Sequence, residues 1–279
     1  MSNKKDSLGD RMKENYENRS KTFLCRRTPV IIRLDGRCFH TFTKGFKRPY
    51  DEIFHNAMND TLKYLCENIQ GCKIGYTQSD EITLLLIDYD SLDTAAWFDY
   101  KVQKMCSIAA SMATLAFNKA LEVHIGNYAI NLAEDELATQ EEYFEALDRA
   151  YQKGAMFDAR VFNIPKEEVT NCFIWRQQDA TRNAIQMLGQ TYFSHKELDK
   201  KNQNDIQDML MLQKGINFND MPVEFKRGIC CIKEEYTHWS HTTVYEGTPA
   251  MPFEPRSRWI LDHNIPIFTQ DRNYIERYV

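Results

Sequence analysis

Apolar positions along this chain recur at two spacings. Val30-Ile31-Ile32-Arg33-Leu34 is a short run rich in β-branched residues, and so are Ile82-Thr83-Leu84-Leu85-Leu86-Ile87 and the stretch from Phe157 to Ile164. Such runs predict strands buried in a sheet. Lys73-Ile74-Gly75-Tyr76 leads into Gln78-Ser79-Asp80-Glu81 and predicts the first arm of a hairpin. Between these runs the spacing turns helical. Ile53, Phe54, Ala57, Met58, Thr61, Leu62 and Leu65 make one stripe over 51–69, with Asp51 as N-cap and Gly71 closing the helix. Trp97, Tyr100, Met105, Ile108, Met112 and Leu115 do the same over 95–118, with Ala109, Ala110 and Ala113 for close packing. The order is βαββαβ. It predicts an α+β fold of two layers, with helices over one face of an antiparallel sheet.

The flanks are less regular. Leu8, Met12 and Tyr16 fall at helical spacing and predict an amphipathic helix laid on the body. Residues 119–150 are acidic and Ala-rich, with Glu134-Asp135-Glu136 and Glu141-Glu142, and suggest a helical insertion or a subunit contact. Pro165 starts a further helix. Residues 194–214 are polar and helical, with Ser194 and Glu197 set as a capping box. A strand over Lys226–Lys233 and an extended, Pro-rich tail from Pro249 to Pro266 complete the chain. The division this suggests is a core over 1–165 and a mainly helical part over 166–279.

Composition narrows the class. The chain has 279 residues, 43% hydrophobic and 27% charged, as in ordinary soluble globular proteins. Its net charge of −5 argues against a globally basic nucleic-acid binder, although local patches decide that question. Arg26-Arg27, Lys44 to Arg48, and Lys196 with Lys200-Lys201 are such patches. The eight cysteines form no CxxC pair, so neither a disulfide framework nor a cysteine zinc site is expected. His238 and His241 lack further ligands. Met1 to Asp6 is polar and no apolar run is long enough to span a bilayer, so a cytoplasmic protein without membrane association is expected.

The chemistry concentrates at two strand tips. Asp35-Gly36 ends the first predicted strand, and Asp80-Glu81 lies in the hairpin turn. Carboxylates at the tips of core strands are costly to bury alone. Brought side by side they become oxygen ligands for a hard cation such as Mg²⁺. From spacing alone a second reading stays open: Asp-Gly is a common turn, and Asp-Glu before a strand suits a solvated loop. Lys44, Lys47 and Arg48 follow the first acid, where cations suit nucleotide phosphates; a solvated basic loop is the plainer alternative. Lys101 and Lys104 lie one helical turn apart on one face. Asp88-Tyr89-Asp90 suggests an exposed loop.

These residues resemble the tRNA-His guanylyltransferase superfamily, and within it the bacterial guanylyltransferase-like branch of 3′-to-5′ polymerases. The matching pieces are Arg33-Leu34-Asp35-Gly36-Arg37-Cys38-Phe39-His40, Lys47-Arg48-Pro49-Tyr50-Asp51, Gln78-Ser79-Asp80-Glu81, Phe157-Asp158-Ala159-Arg160-Val161-Phe162 and Trp175-Arg176-Gln177-Gln178-Asp179. Pro222 to Gly228 matches more loosely. The resemblance implies a palm-like, ferredoxin-like core. It implies catalytic acids Asp35, Asp80 and Glu81, with two Mg²⁺ ions held by Asp35, the Gly36 carbonyl and Asp80. Nucleotide and phosphate contacts fall on Arg37, Phe39, His40, Lys44, Arg48, Ser79, Lys101, Lys104 and Arg160. RNA contacts fall on Arg26, Arg27, Arg176, Arg182 and Asn183. The implied substrates are tRNA with GTP, ATP and other NTPs, and the implied assembly is a homodimer or homotetramer. One segment departs. Where G-adding enzymes carry His-Ile-Asn-Asn-Leu-Tyr-Asn, this chain has Thr181-Arg182-Asn183-Ala184-Ile185-Gln186-Met187. That favours template-directed repair of tRNA 5′ ends over addition of G to tRNA-His. A metal-dependent nucleotide cyclase and a non-catalytic RNA-binding protein are the alternatives from other classes.

Overall fold

The computed structural model describes residues 7–132, 139–239 and 253–279, without the side chains of 238, 239, 253 and 254. The acids at 134–136, the His238–His241 pair and the start of the Pro-rich tail lie outside the described residues. One sheet organises the rest. Its strands are β1 (Val30–Gly36), β2 (Cys72–Gln78), β3 (Glu81–Leu86), β4 (Phe157–Asn163), β5 (Ile229–Trp239) and β6 (Phe253–Asp262). They run in the order β4-β1-β3-β2-β5-β6, and every neighbouring pair is antiparallel. The first four strands give the 4-1-3-2 order of a βαββαβ core. The second half of the chain adds β5 and β6 to the same sheet, so the Pro-rich tail is in part an edge strand.

Both faces of the sheet are covered. Val30, Ile32 and Leu34 of β1, with Ile82, Leu84 and Leu86 of β3, pack against α3 (Glu52–Asn68) and α4 (Val102–Asn131), and a single helical turn, α2 (Phe39–Phe42), follows β1. The alternate residues Ile31, Ile74, Tyr76 and Leu85 face the other way. They pack against Val169 and Phe173 of a later helix (Val169–Tyr192) and against Phe268 and Ile275 near the C-terminus. The core helices thus lie on one face as expected, and the C-terminal half supplies a second cover. That is why β1 reads as continuously apolar rather than alternating.

Several sequence boundaries move. Asp51 caps α3 through its carboxylate, which accepts from the Phe54 N–H at 2.9 Å, and Ser194 forms the expected capping box. The helix expected to end at 118 continues to Asn131. Residues 119–131 are therefore the end of α4, followed by α5 (Glu141–Lys153), which buries Tyr143, Ala146, Leu147 and Ala150. The Val169–Tyr192 helix is α6. The N-terminal helix forms as α1 (Ser7–Asn15), yet it buries no residue; Leu8, Met12 and Tyr16 stay exposed. Its periodicity predicted the helix correctly and the docking wrongly. Asp88, expected in an exposed loop, is buried and held by Arg26 at 2.6 Å. Among the described residues no helix is long and apolar enough to cross a membrane.

Candidate active site

Register brings the acids together. Asp35 stands opposite Glu81 on β3 and opposite Asp158 on β4. Leu34 is in the α3–α4 core, so strand alternation turns Arg33 and Asp35 to the α6 face. The β2–β3 turn then closes over the tip of β1. The Gly36 N–H donates to the Asp80 carbonyl at 3.1 Å. Ser79 takes φ +49° in this turn, a conformation that costs energy outside glycine and clusters at functional sites. A Cβ on Gly36 would lie 2.9 Å from that of Asp80, so only glycine admits the approach.

The electrostatics follow. Burial, reinforced by the charges of Asp35 and Glu81, pushes the Asp80 carboxyl up to about 6, against hydrogen bonds that include Ser79 Oγ at 3.1 Å. Burial and then Glu81 and Asp158 raise the Asp35 carboxyl, while Arg160 and Arg33 oppose them. Both acids hold their negative charge at a cost that a cation would remove. Among the described residues no three or more His, Cys, Asp or Glu side chains converge as a ready-made metal cage. Magnesium rarely needs one. It is held by one or two carboxylates together with waters and substrate phosphates. Asp35, Asp80 and the Gly36 carbonyl fit that role.

Glu81 is placed differently from its two neighbours. It pairs with the Arg176 guanidinium, which is buried and also holds Asp179 at 3.0 Å. Arg176 stacks on Trp175, its guanidinium carbon 3.8 Å from the ring centre. Arg176 is thus a structural brace behind the acids and not an exposed RNA contact, a correction to the motif-based expectation. Asp179 and Trp175 are its sequence neighbours, but the partner that ties it to the acids, Glu81, is 95 residues away and leaves no local signal.

Beside Asp80 opens a cavity of about 400 Å³. Of the expected contacts, Phe39, His40, Arg48, Ser79 and Asn183 line it with Asp80. Phe39 contributes floor rather than a polar contact: it is buried among Phe42, Phe54, Phe117 and Phe157, ring centres 5.0–5.9 Å apart. Lys47, expected with the basic loop, lines it too, whereas sequence reasoning gave no nucleotide-site role to Tyr50, His55, Glu224 and Phe225, which are also in the lining. Glu224 accepts from Tyr50 Oη at 2.9 Å and pairs with His263 Nδ1 at 2.6 Å, which ties three distant segments at the far end of the cavity. Burial holds the His55 imidazole beside them below its ordinary range.

The remaining expected residues are scattered. Arg160 lies 3.9 Å from Asp35 and 3.4 Å from Asp158, half exposed on the α6 face. Arg37 is exposed and reaches Met156. Lys44 lines a different cavity, of about 430 Å³, with Lys47 and Arg149. Arg182 pairs with Asp179. Lys101 and Lys104 sit at the Val30 end of β1, where residue 101 bridges to Phe23. That is five residues from Asp35, roughly 17 Å along the strand. Arg26 and Arg27 share that far end, where the Arg26 guanidinium and the Arg27 backbone N–H donate to Asp88. The fold does not bring these four cations to the acids.

A sequence profile of the tRNA-His guanylyltransferase (Thg1) family matches residues 9–165. The chain belongs to that family. It is a nucleotidyltransferase of the tRNA-His guanylyltransferase kind, and relatives extend the match over its whole length. A bacterial tRNA-His guanylyltransferase-like protein solved in complex with ATP is 43% identical, with a TM-score of 0.77 over 98% of this chain and 99% of that one. One solved in complex with GTP is 40% identical, with a TM-score of 0.74 over the same shares. The tRNA-His guanylyltransferase of Debaryomyces hansenii is 27% identical over 231 residues, 78% of each chain.

Proposed function

We propose that this guanylyltransferase-family protein is a metal-dependent 3′-to-5′ nucleotidyltransferase that adds nucleotides to the 5′ end of tRNA, and that it does so by template-directed repair. One juxtaposition carries the reading. Asp80 stands at the rim of a nucleotide-sized cavity, while Asp35, one backbone contact away, faces the α6 side of the sheet and is partly exposed there. The nucleotide occupies the cavity, and the RNA 5′ end meets it at the acids.

Asp35 and Asp80, with the Gly36 carbonyl, would hold Mg²⁺ as two ions. Such ions would lower the pKa of a nucleotide 3′-hydroxyl and offset triphosphate charge. Arg48 and His40 orient the phosphates from the cavity side, and Arg160 does so from the Asp35 side. Arg176 holds Glu81 away from the ligand positions. The likeness to chains solved with ATP and with GTP supports a purine nucleotide in this cavity.

The altered 181–187 segment supports repair. Asn183, Ala184 and Met187 form part of the cavity wall, and the Thr181 hydroxyl donates to the Lys226 carbonyl at 2.9 Å. The change from the His-and-Asn motif therefore falls where the nucleotide is met, and selection of the added base passes to pairing with the opposite strand.

The test is nucleotide addition to a 5′-truncated tRNA with Mg²⁺ and each single NTP. Only the NTP complementary to the opposite strand should be added. Asp80→Asn should lower the rate about 100-fold or more, the scale of metal-borne charge stabilisation. Addition of G to full-length tRNA-His whatever lies opposite would instead make it a G-adding enzyme. No addition to either RNA would sink the polymerase reading and turn attention to cyclisation of the NTP alone.

A further inference from the structure

The loop from Lys44 to Asp51 is one wall of the nucleotide cavity, and it carries Arg48. Its inner side faces the ligand. Its outer side is fastened to α4 and α5 at four successive points. The Arg149 guanidinium donates to the Lys44 carbonyl. Gly45, at φ +90°, lies so close to α5 that a Cβ there would stand 2.8 Å from that of Ala146. The Lys47 ammonium sits 4.6 Å from the ring centres of both Tyr128 and Tyr143 and donates to Tyr128 Oη at 2.7 Å. Asp51 accepts from Tyr143 Oη at 2.7 Å.

Asp51 is the pin. One of its oxygens caps α3 through the Phe54 N–H; the other accepts both the Lys47 N–H at 2.9 Å and the Tyr143 hydroxyl. The carboxylate is buried, and three donors satisfy it. Burial and the Asp51 charge hold the Tyr143 phenol well above its ordinary value, so it remains a donor. A loop sewn down at Lys44, Gly45, Lys47 and Asp51 leaves Arg48 little room to wander.

We propose that Tyr143 is a positioning residue for nucleotide binding: through Asp51 and the Lys47 cage it fixes the loop that presents Arg48 to the triphosphate. This gives α5 a role in the site although it contributes no side chain to the nucleotide cavity. The inference rests on the reading of that cavity as the nucleotide site. The binding energy of a pre-formed loop is gained because the ligand need not order it.

The experiment uses the full-length protein with a non-hydrolysable ATP analogue and Mg²⁺, by calorimetry, followed by steady-state addition assays. Tyr143→Phe keeps the ring against Phe46 and Lys47 and removes only the hydroxyl. It should raise the analogue Kd about tenfold, the scale of one hydrogen bond to a charged group. The NTP KM should rise in parallel, while kcat at saturating NTP and the KM for tRNA stay within about twofold. Arg149→Ala, which frees the Lys44 carbonyl at the other end of the loop, should raise Kd in the same direction by about threefold. An unchanged Kd in Tyr143→Phe, or a loss confined to kcat, overturns the proposal and leaves the nucleotide reading standing. Failure of the unmodified protein to bind the analogue overturns both.

Discussion

Gly36→Ala isolates the contact on which the site depends. Gly36 lies in β1 with extended backbone, so alanine adds no backbone strain and any effect is steric. The new methyl would stand 2.5 Å from Phe39 Cε2 and 2.9 Å from Asp80 Cβ, against an optimal carbon separation of about 3.5–4.0 Å. The Phe39 ring has to retreat by about 1 Å. It cannot do so freely, because four other rings enclose it. Overpacking of this kind costs about 1–3 kcal/mol. In a chain of this size that lowers the melting temperature by roughly 2–4 °C per kcal/mol. The larger loss should be in catalysis, since Asp80 is pushed along with the ring. A displacement near 1 Å is worth about 100-fold in rate. Urea unfolding gives the first number and single-nucleotide addition gives the second. Adding Phe39→Leu to Gly36→Ala should recover part of the stability, with a coupling of about 1 kcal/mol, while addition stays impaired because the Asp80 contact persists. A Gly36→Ala protein as stable and as active as the parent would refute the reasoning.

Arg176→Leu removes the brace between Glu81 and Asp179 and leaves the largely buried Glu81 carboxylate without its cation, while Asp179 keeps Arg182; urea denaturation should show a loss of about 3 kcal/mol, and Glu81→Gln alone should lose less. Gly228→Ala should fail to accumulate as folded protein, because φ is +80° and a Cβ would meet the Thr77 carbonyl and Tyr76 Cε2 at 2.8 Å; a soluble variant with normal melting would contradict this. His55 has its protonated form disfavoured by burial, against the opposing pull of Glu224, with Tyr50 and His263 also near. The folded state therefore binds fewer protons there than the unfolded state, and stability falls as pH drops below the ordinary value of 6.5. His55→Gln should flatten the fall in urea midpoint between pH of about 7.5 and about 5.5; an unchanged slope would remove His55 as the cause.

The core of this fold was legible because its strands and helices speak in different periods. The run Val30 to Leu34 and the stripe from Ile53 to Leu65 each name their element, and the order of elements leaves one natural sheet. Asp35 and Asp80 were legible for the same reason, as charges placed where an apolar run stops. What stayed hidden depended on distance or direction. Lys101 and Lys104 are spaced for one helix face, but only the fold shows that Lys101 is the extended N-cap of α4 and that α4 begins at the wrong end of the sheet for them to meet the acids. Arg176 looks like any exposed helical arginine until Glu81 is brought to it. Lys44 and Lys47 differ by three positions in one loop, yet of the two only Lys47 also lines the cavity beside Asp80, its ammonium turned outward between Tyr128 and Tyr143. The second cover of the sheet was hidden because a strand buried on both faces gives no alternation to read.

The pairing of β1 with β3 has a consequence for how this protein matures. Leu34 and Asp35 are consecutive, and they serve opposite faces of the sheet. A slip of one residue would press the carboxylate into the hydrocarbon between sheet and helices and lift the leucine out of it. Mispaired chains therefore lose solubility and chemistry in the same stroke. The hairpin turn at Ser79 and Asp80 acts as a stop that sets the count, because Asp80 meets Gly36 at only one alignment. A preparation of this enzyme should then contain competent molecules and aggregated ones, with few soluble molecules of intermediate specific activity.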